Sequence, residues 1–510
     1  MIKRVMNTIF DIFPVFNRPM AFCAVLSCLA VLFLHLKYSA ATALLILLFI
    51  FSITICLIAR NRKITIITFL FIAVCASTVN EFLKADDLNA LVGQTFDIDF
   101  VAIEDSSHTG SVTSVTAYTY GSDVIRDNTK LELYHFLDEN ISCGDKLNAT
   151  VKIVGLDDDY KMYNYGNGVY ISSRILKINS RYQRNAFFYY IGCIRRFIVN
   201  TILKNFSGDI AGILIALNSG DKSYISGEFS AKVLICGISH IMVVSGLHLS
   251  IVIGSFFRFC EKIFYNRLLK AFLSLVLIFL ICALCGFRLS VMRAGIMFVF
   301  CAISPLFLRR NDLLNSLGAS VLFLLFLSPF CLFSVSFQLS VLATLAIVWV
   351  APFYVDLLVS TLYIKTKIGK SLVSVFIVSI SAMIFTAPVL IATFGTISLL
   401  SPICFLLVTF PVTYALEFNT TALLISSIKS ISFLAKPLFL ISGINALYIH
   451  FIIDKLGLLE FMLVRVDLTG FIASLFMIFA VISGMYLSKY YTKLMKRKKL
   501  AEVKCYAGHI

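Results

Sequence analysis

The sequence predicts a polytopic α-helical membrane protein into which one small β-barrel domain is inserted. Two observations predict this fold class. Of the 510 residues, 59% are hydrophobic and only 14% are charged. This composition excludes an ordinary soluble globule and is typical of chains with many apolar spans. One stretch, residues 84–182, is instead polar and rich in Asp, Gly, Thr and Tyr, which predicts a separate domain outside the membrane.

Residues 1–83 predict N-terminal transmembrane spans at about 20–36, 40–59 and 64–83. The first apolar run is followed at once by another, which indicates a retained span rather than a cleaved signal. Basic residues at 60–63 precede the third span and mark a cytoplasmic turn, because cytoplasmic loops carry an excess of Lys and Arg. With the N-terminus inside, the chain leaves the third span on the outer side.

Residues 84–182 show the alternation of apolar and polar residues that is typical of β-strands. The alternating runs are 95–102, 111–120, 130–135, 146–154 and 168–178. Breakers such as Asp157-Asp158-Asp159 separate them. Five short strands at this size predict a small barrel of the oligonucleotide-binding (OB) type, placed extracellularly.

The charge of the chain is unevenly distributed. The formal net charge is +16, yet residues 84–184 hold fifteen acidic and ten basic residues, a net of −5. The remaining positive charge lies mostly between the apolar spans, where it sets their orientation. Membrane topology therefore explains the net positive charge of the chain without any nucleic-acid partner.

The rest of the chain divides into three parts. Residues 183–230 predict interfacial, amphipathic helices and a loop. Residues 231–488 predict a transmembrane domain, and 489–510 form a basic cytoplasmic tail, so both termini are expected inside. Spans are expected near 231–257, 271–287, 289–308, 313–333, 336–358, 372–393, 397–416, 418–428 with 431–453, and 468–488.

The most unusual segment is Gly237–Ile253, an apolar run that carries His240, Ser245, Gly246 and His248. Polar groups at membrane depth cost free energy unless they face a cavity or a partner. The eight-residue spacing of the histidines is too long for two metal ligands on one helix. Ser245 and His248 resemble a nucleophile and its base, but no carboxylate follows to orient the imidazole. We therefore expect a pore-lining role and assign no catalytic residue, metal or cofactor.

Two further clusters place polar groups near or within apolar runs. Arg288, Ser290 and Arg293 form the first cluster, and an apolar run continues behind Arg293. A buried arginine demands an ion-pair or carbonyl partner, or else a passage for a polyanion. Gln338 and Ser340 form the second cluster, at the start of a span. They fit either polar contacts between helices or contacts with a substrate.

These motifs together resemble the ComEC family of competence proteins. The central match is Ser226–Gly254, with Gly237-Ile-Ser-His and Ser245-Gly-Leu-His, and Asn218-Ser-Gly-Asp precedes it as the family's loop does. Further matches, in the family's order, are Arg288-Leu-Ser-Val-Met-Arg-Ala, Asn311-Asp-Leu-Leu, Ser328-Pro329, Phe337-Gln-Leu-Ser, Phe394-Gly395 with Ser398, and Ser401-Pro402. Phe405 stands where the family often has Asn.

The resemblance implies a channel that carries single-stranded DNA across the bacterial cytoplasmic membrane during natural transformation. It also implies an OB-type domain that receives the DNA, and a separate DNA receptor, nuclease and cytoplasmic motor as partners. Many relatives end in a metallo-β-lactamase-like domain, and we expect this chain to be the form that lacks it. The net negative charge of the β domain predicts only weak DNA binding by that domain alone.

Two alternatives remain open from the residues. One is a transporter of another polar or anionic solute on the same helical scaffold. The other is an intramembrane hydrolase that uses Ser245 and His248.

Overall fold

A computed structural model of the chain describes residues 18–36, 62–109, 112–121, 125–135, 141–157, 161–182, 185–242, 246–307 and 312–507. The expected span at 40–59 and the candidate residue Ser245 lie outside these ranges. Helices α1 (Pro19–Leu36) and α2 (Arg62–Asn89) come first. Helix α2 continues through the expected domain boundary between residues 83 and 84.

The β domain follows α2. Its elements are β1 (Thr95–Ala102), β2 (Ser107–Thr109), β3 (Val112–Thr119), β4 (Lys130–His135), β5 (Lys146–Val154), α3 (Lys161–Gly166) and β6 (Val169–Tyr182). The strands pair in the order β1-β5-β6-β4-β3, and β1 also pairs with β3, which closes a five-stranded barrel. β4 and β6 run parallel, while the other pairs are antiparallel. The expected OB-like barrel is thus confirmed, and the short β2 on the edge of β3 is an addition to it.

Alternation along the strands fills the barrel. In β4, Leu131 and Leu133 are fully buried, whereas Lys130, Glu132 and Tyr134 point to the other face. Successive side chains on a strand point to opposite faces, so the apolar set of each strand meets in one core.

A segment of the helical region completes the barrel core. Phe330, from a 3-10 helix at Pro329–Phe333, is 1% exposed and belongs to the same buried cluster. Its ring centroid lies 4.7 Å from Phe82 of α2 and 5.2 Å from Tyr165 of α3. Close backbone approach accompanies this contact, since a Cβ added to Gly166 would lie 2.7 Å from the Ser334 nitrogen. The barrel therefore shares its core with the helical region instead of hanging from a linker.

The helical region follows the barrel. Its helices are α4 (Ala186–Asn205), α5 (Gly208–Ser219), α6 (Gly227–Ile235), α7 (Gly246–Ile263), α8 (Arg267–Leu284), α9 (Leu289–Ile303), α10 (Leu313–Leu327), α11 (Val335–Leu345), α12 (Ala351–Thr361), α13 (Lys367–Phe394), α14 (Ser401–Ser426), α15 (Ala435–Leu456) and α16 (Leu468–Ala507). A π-helical segment, Ala346–Val350, joins α11 to α12. The short strands β7 (Thr396–Ser398) and β8 (Leu463–Arg465) pair antiparallel.

Within the described residues, six helical stretches are long and apolar enough to cross a membrane. They are Arg267–Leu284, Val335–Thr361, Lys367–Phe394, Ser401–Ser426, Lys429–Leu456 and Thr469–Ser488. Their lengths meet the roughly 20-residue need of a bilayer. This confirms the polytopic helical fold class.

The expected span boundaries are wrong in two places. The stretch 231–257 is not one helix, because α6 ends at Ile235 and residues 236–242 are not helical. Gly237 has a φ of +68°, and a Cβ there would lie 2.7 Å from the Ser398 Cβ, so tight packing and a left-handed backbone end the helix. Residues 397–416 and 418–428 are not two spans, since α14 runs without a break over Ser401–Ser426 despite Pro411.

Candidate functional site

Arg293 is the centre of a polar site inside the helical region. It lies in the second turn of α9 and is only 5% exposed. Its Nε donates a 2.9 Å hydrogen bond to the Ser340 Oγ of α11, and its Nη1 lies 3.1 Å from the Met297 Sδ. The sequence placed Arg293 and Ser340 in separate clusters, and the structure brings them into contact.

The N-terminus of α7 also lies against Arg293, so α7, α9 and α11 all meet at this site. A Cβ added to Gly246 would lie 3.2 Å from the Arg293 Nη2 and 3.2 Å from the Ala294 Cβ. Glycine therefore lets the α7 backbone approach the guanidinium closely. His248, two residues on, is 2% exposed. Ser290 is also buried, in the first turn of α9.

The charge of Arg293 has no carboxylate close to it in the described part of the chain. All salt bridges found there, within 4.0 Å, join other residues. A neutral hydroxyl and a thioether are weak compensation for a buried cation, which normally pairs with an anion or lines a water-filled space. The site is therefore suited to an anionic ligand.

His240 lies apart from Arg293, in the 236–242 segment between α6 and α7. Its side chain is exposed. Its ring stacks on Phe405 of α14, with centroids 6.1 Å apart and planes inclined by 19°.

Two of the expected site residues have other partners. The Gln338 amide donates to the Leu332 carbonyl at 2.8 Å, so it joins the start of α11 to the preceding 3-10 helix. Arg288 is exposed at the start of α9, and its Nη1 donates to the Gly220 carbonyl at 3.2 Å. Arg288 therefore lies at the edge of the helical region. Gln338 stabilises the connection between the 3-10 helix and α11.

The sequence alone did not single out Glu417, an acidic residue in the apolar helix α14. Glu417 accepts a 2.5 Å hydrogen bond from the Ser255 Oγ of α7 and lies 3.3 Å from the Arg258 Nη2. Thr420, one turn on, donates to Asn218 of α5 at 3.1 Å. A signal was present, since Glu417 is the one charged residue in Ser401–Ser426, and lone acids in apolar runs mark polar pathways.

The outer face of the barrel carries a groove of about 620 Å³. It is lined by side chains of β4, β6, α3 and the loop before α3, among them Tyr134, Tyr163, Arg174, Glu132 and Asp157. Burial raises the pKa of Tyr134 to about 12, and its hydrogen bond to Glu132 adds to this effect. Tyr134 therefore stays a neutral phenol at any physiological pH and presents an aromatic ring and a hydroxyl.

Two lysines near Arg288 have lowered pKa values. Burial lowers the pKa of Lys130 on β4, and the positive charge of Arg288 lowers it further, against the opposing effects of Glu104 and Glu132. Partial desolvation and then the charge of Arg288 lower the pKa of Lys222, in the loop after α5. Desolvation and a like charge both disfavour an ammonium.

The described residues hold no group of three or more His, Cys, Asp or Glu placed to bind a metal ion. The groups gathered at these sites include cations, hydroxyls, amides and aromatic rings, which suit anionic or aromatic ligands.

The fold and these sites define a multi-pass membrane protein whose helical region carries a buried cation and shares a core with a closed β-barrel. A family model described as "Competence protein" matches residues 217–490, more than half of the chain. The chain belongs to this competence protein family. It is also similar to ComE operon protein 3 of Bacillus subtilis (strain 168), with 26% identity over 253 residues, which cover 49% of this chain and 31% of that relative. The aligned part thus spans about a third of the relative's length. No solved structure matches the chain significantly.

Proposed function

We propose that this protein is a channel that translocates single-stranded DNA across the cytoplasmic membrane during natural transformation. The observation that carries the proposal is the buried Arg293, which meets Ser340 and Gly246 and has no carboxylate within 4.0 Å in the described residues. Membership of the competence protein family and the similarity to ComE operon protein 3 support DNA as the substrate.

The arrangement of the chain supports a direction of transport. In this proposal the barrel lies outside the cell, both termini lie inside, and the strand passes from the barrel to the helical region. The basic residues at 60–63, at the start of α2, favour that orientation. A DNA receptor, a nuclease and a cytoplasmic motor would be separate proteins.

Arg293 would contact the phosphates of the passing strand and Ser340 would hold the guanidinium in place. A guanidinium is always charged and offers several donors in a rigid plane. Its interaction with each phosphate must be weak enough to release the strand, and partners that carry no charge leave the guanidinium free to exchange one phosphate for the next. No covalent step is needed, so the proposed role is not enzymatic.

The test is DNA uptake in a deletion strain complemented with variants. We expect the deletion to abolish entry of fluorescent DNA into the cytoplasm. Arg293→Ala should lower uptake by about tenfold or more, which corresponds to about 1.4 kcal/mol, and Arg293→Lys should retain part of it. Arg267→Ala, at the exposed start of α8, is the matched control.

Normal uptake in the deletion strain would overturn the proposal. Normal uptake with Arg293→Ala, at wild-type protein levels on an immunoblot, would remove Arg293 from the path. Loss of uptake of a small anionic solute, with DNA entry intact, would instead assign the protein to solute transport.

A further inference from the structure

Three separate parts of the chain meet at the turn between α8 and α9. The barrel reaches this turn through Glu104, since a Cβ on Gly286 would lie 3.0 Å from the Glu104 Oε1. Helix α4 reaches it through Arg195, whose Nε donates to the Leu284 carbonyl at 2.8 Å. The loop after α5 reaches it through the Gly220 carbonyl, 3.2 Å from the Arg288 Nη1.

Each of three elements brings one cation to this junction. Lys130 comes from the barrel, Lys222 from the loop after α5 and Arg288 from the start of α9. Lys130 is the cross-strand partner of Tyr118, which lines a small cavity together with Gly286 and Phe287, the two residues before Arg288. Lys222 lies two residues after Gly220, whose carbonyl accepts from Arg288. In the described ranges none of the three forms a salt bridge within 4.0 Å.

Nearby acids offset part of the charge of this group without pairing with it. Glu104 and Glu132 act on Lys130 more strongly than Arg288 does, but in the described residues neither forms an ion pair with it within 4.0 Å. Asp221, beside Lys222 in sequence, accepts hydrogen bonds from Ser223. Burial still disfavours both ammonium groups, and a bound anion would offset that cost.

We infer that Lys130, Lys222 and Arg288 form a phosphate-contact site that receives single-stranded DNA where the barrel meets the membrane helices. This inference rests on the proposed function and adds to it the place where the strand passes from barrel to channel. The site is distinct from Arg293, which is buried one and a half turns further along α9.

The barrel groove leads to this site. Lys130, Glu132 and Tyr134 lie on the same face of β4, because the intervening leucines point into the core. Tyr134 and Tyr163 line the groove at the far end of that row. Aromatic rings stack bases without regard to sequence, while cations hold the backbone. Bases would therefore stack in the groove while phosphates pass Lys130 toward Arg288.

Anionic lipid headgroups share the phosphate chemistry of DNA. We assign the site to DNA because one of its cations, Lys130, belongs to the barrel and continues the row of side chains that lines the groove. Binding of lipid alone is an outcome of the test that would overturn the inference.

The test uses the full chain in nanodiscs of zwitterionic lipid and a fluorescent oligothymidylate. Binding is measured by anisotropy over a range of salt concentrations. The triple variant Lys130→Gln, Lys222→Gln, Arg288→Gln removes three phosphate contacts. Each contact contributes about 0.7 to the slope of log K against log salt for single strands, so the slope should fall in magnitude by about 2.

Two further variants make the result decisive. The control Lys177→Gln, Lys262→Gln, Arg267→Gln removes three exposed cations, one on the barrel and two in the helical region, and should change the slope far less. The charge-preserving variant Lys130→Arg, Lys222→Arg, Arg288→Lys should keep the wild-type slope. It also separates charge from folding if the glutamine variant folds poorly.

An unchanged slope in the glutamine variant, or an equal drop in the control, would overturn the inference and leave the channel proposal standing. Absence of any wild-type binding would also overturn it, and the uptake assay would then decide the channel proposal separately. Loss of retained anionic lipid in native mass spectra, with DNA binding unaltered, would assign the three cations to lipid.

Discussion

Arg293 and Ser340 join α9 to α11 through a 2.9 Å hydrogen bond from Nε to Oγ. The two residues are 47 positions apart, and both lie among apolar helices. Because a hydrogen bond to a charged group in a site with little water is strong, this contact fixes the direction of the guanidinium.

Removal of the Ser340 hydroxyl should therefore destabilise the protein. Ser340→Ala leaves the Arg293 Nε without its acceptor, a loss of about 1.5–3 kcal/mol for a hydrogen bond to a charged group. We expect a lower melting temperature in detergent, measured by fluorescence-detected size-exclusion chromatography. Ser336→Ala, exposed on the same helix, should have little effect, and equal melting of the two variants would contradict the prediction.

Arg195 should contribute more to docking of the barrel than its neighbour Arg196. Arg195 donates to the Leu284 and Ala283 carbonyls of α8 at 2.8 and 3.2 Å and lies 3.5 Å from the Ile103 carbonyl. Arg196 instead forms a partly exposed salt bridge with Asp105 at 3.0 Å, and such pairs contribute about 0.2–1 kcal/mol.

Hydrogen exchange of the intact protein measures this difference. Arg195→Ala should speed exchange in residues 283–288 and at the start of α4, and Arg196→Ala should not. Faster exchange in both variants to the same degree would show that the two arginines contribute equally.

The thiol of Cys143 should react slowly in the folded protein. Burial raises its pKa to about 11, against a smaller opposing effect of Arg195, and its Sγ lies 3.1 Å from the Ile103 carbonyl. This shift from the ordinary pKa of 9.0 lowers the thiolate fraction at pH 8 from about one in ten to about one in a thousand. Peptide mass spectrometry should show alkylation at least ~100-fold slower than in the SDS-unfolded chain.

The same shift gives a pH dependence of stability. The neutral thiol is favoured in the folded state, so its contribution is constant below the ordinary pKa and is lost as pH rises above about 9. Cys143→Ala should weaken that alkaline decline in the melting temperature. A rate of alkylation equal to that of the unfolded chain would contradict both expectations.

The proposed orientation predicts which surface positions react from outside the cell. Lys177→Cys, on the exposed face of β6, should react with a membrane-impermeant maleimide in intact cells. Lys262→Cys, near the end of α7, should react only after permeabilisation. The wild-type chain, with its 14 native cysteines, supplies the background. The reverse pattern would place the barrel inside.

Local patterns predicted the barrel well, because each strand carries its own alternation. The runs at 95–102, 130–135 and 146–154 agree with β1, β4 and β5 to the residue. The strand β2 has only three residues, too few for a periodic signal. The closing pair β1 with β3 is a long-range contact that periodicity does not specify.

The helical region was harder to predict. Hydropathy treats 231–257 as one apolar run, but the close approach of Gly237 to Ser398 and Ser401 breaks it. Those two serines lie more than 150 residues away, so the window that detects a span holds no information about them. Gln338 was assigned to the site for its polarity alone, while its actual partner, the Leu332 carbonyl, depends on the 3-10 helix before α11.

The sequence by itself determined the class of this protein, because apolar composition, strand alternation and the order of short motifs are local properties of the chain. It also determined that Arg293 is costly to bury. Only the tertiary structure decided which groups Arg293 meets, that Phe330 completes the barrel core, and that the barrel and the loop after α5 meet at the turn before α9. These contacts arise from packing between segments far apart in the chain, which no local pattern encodes.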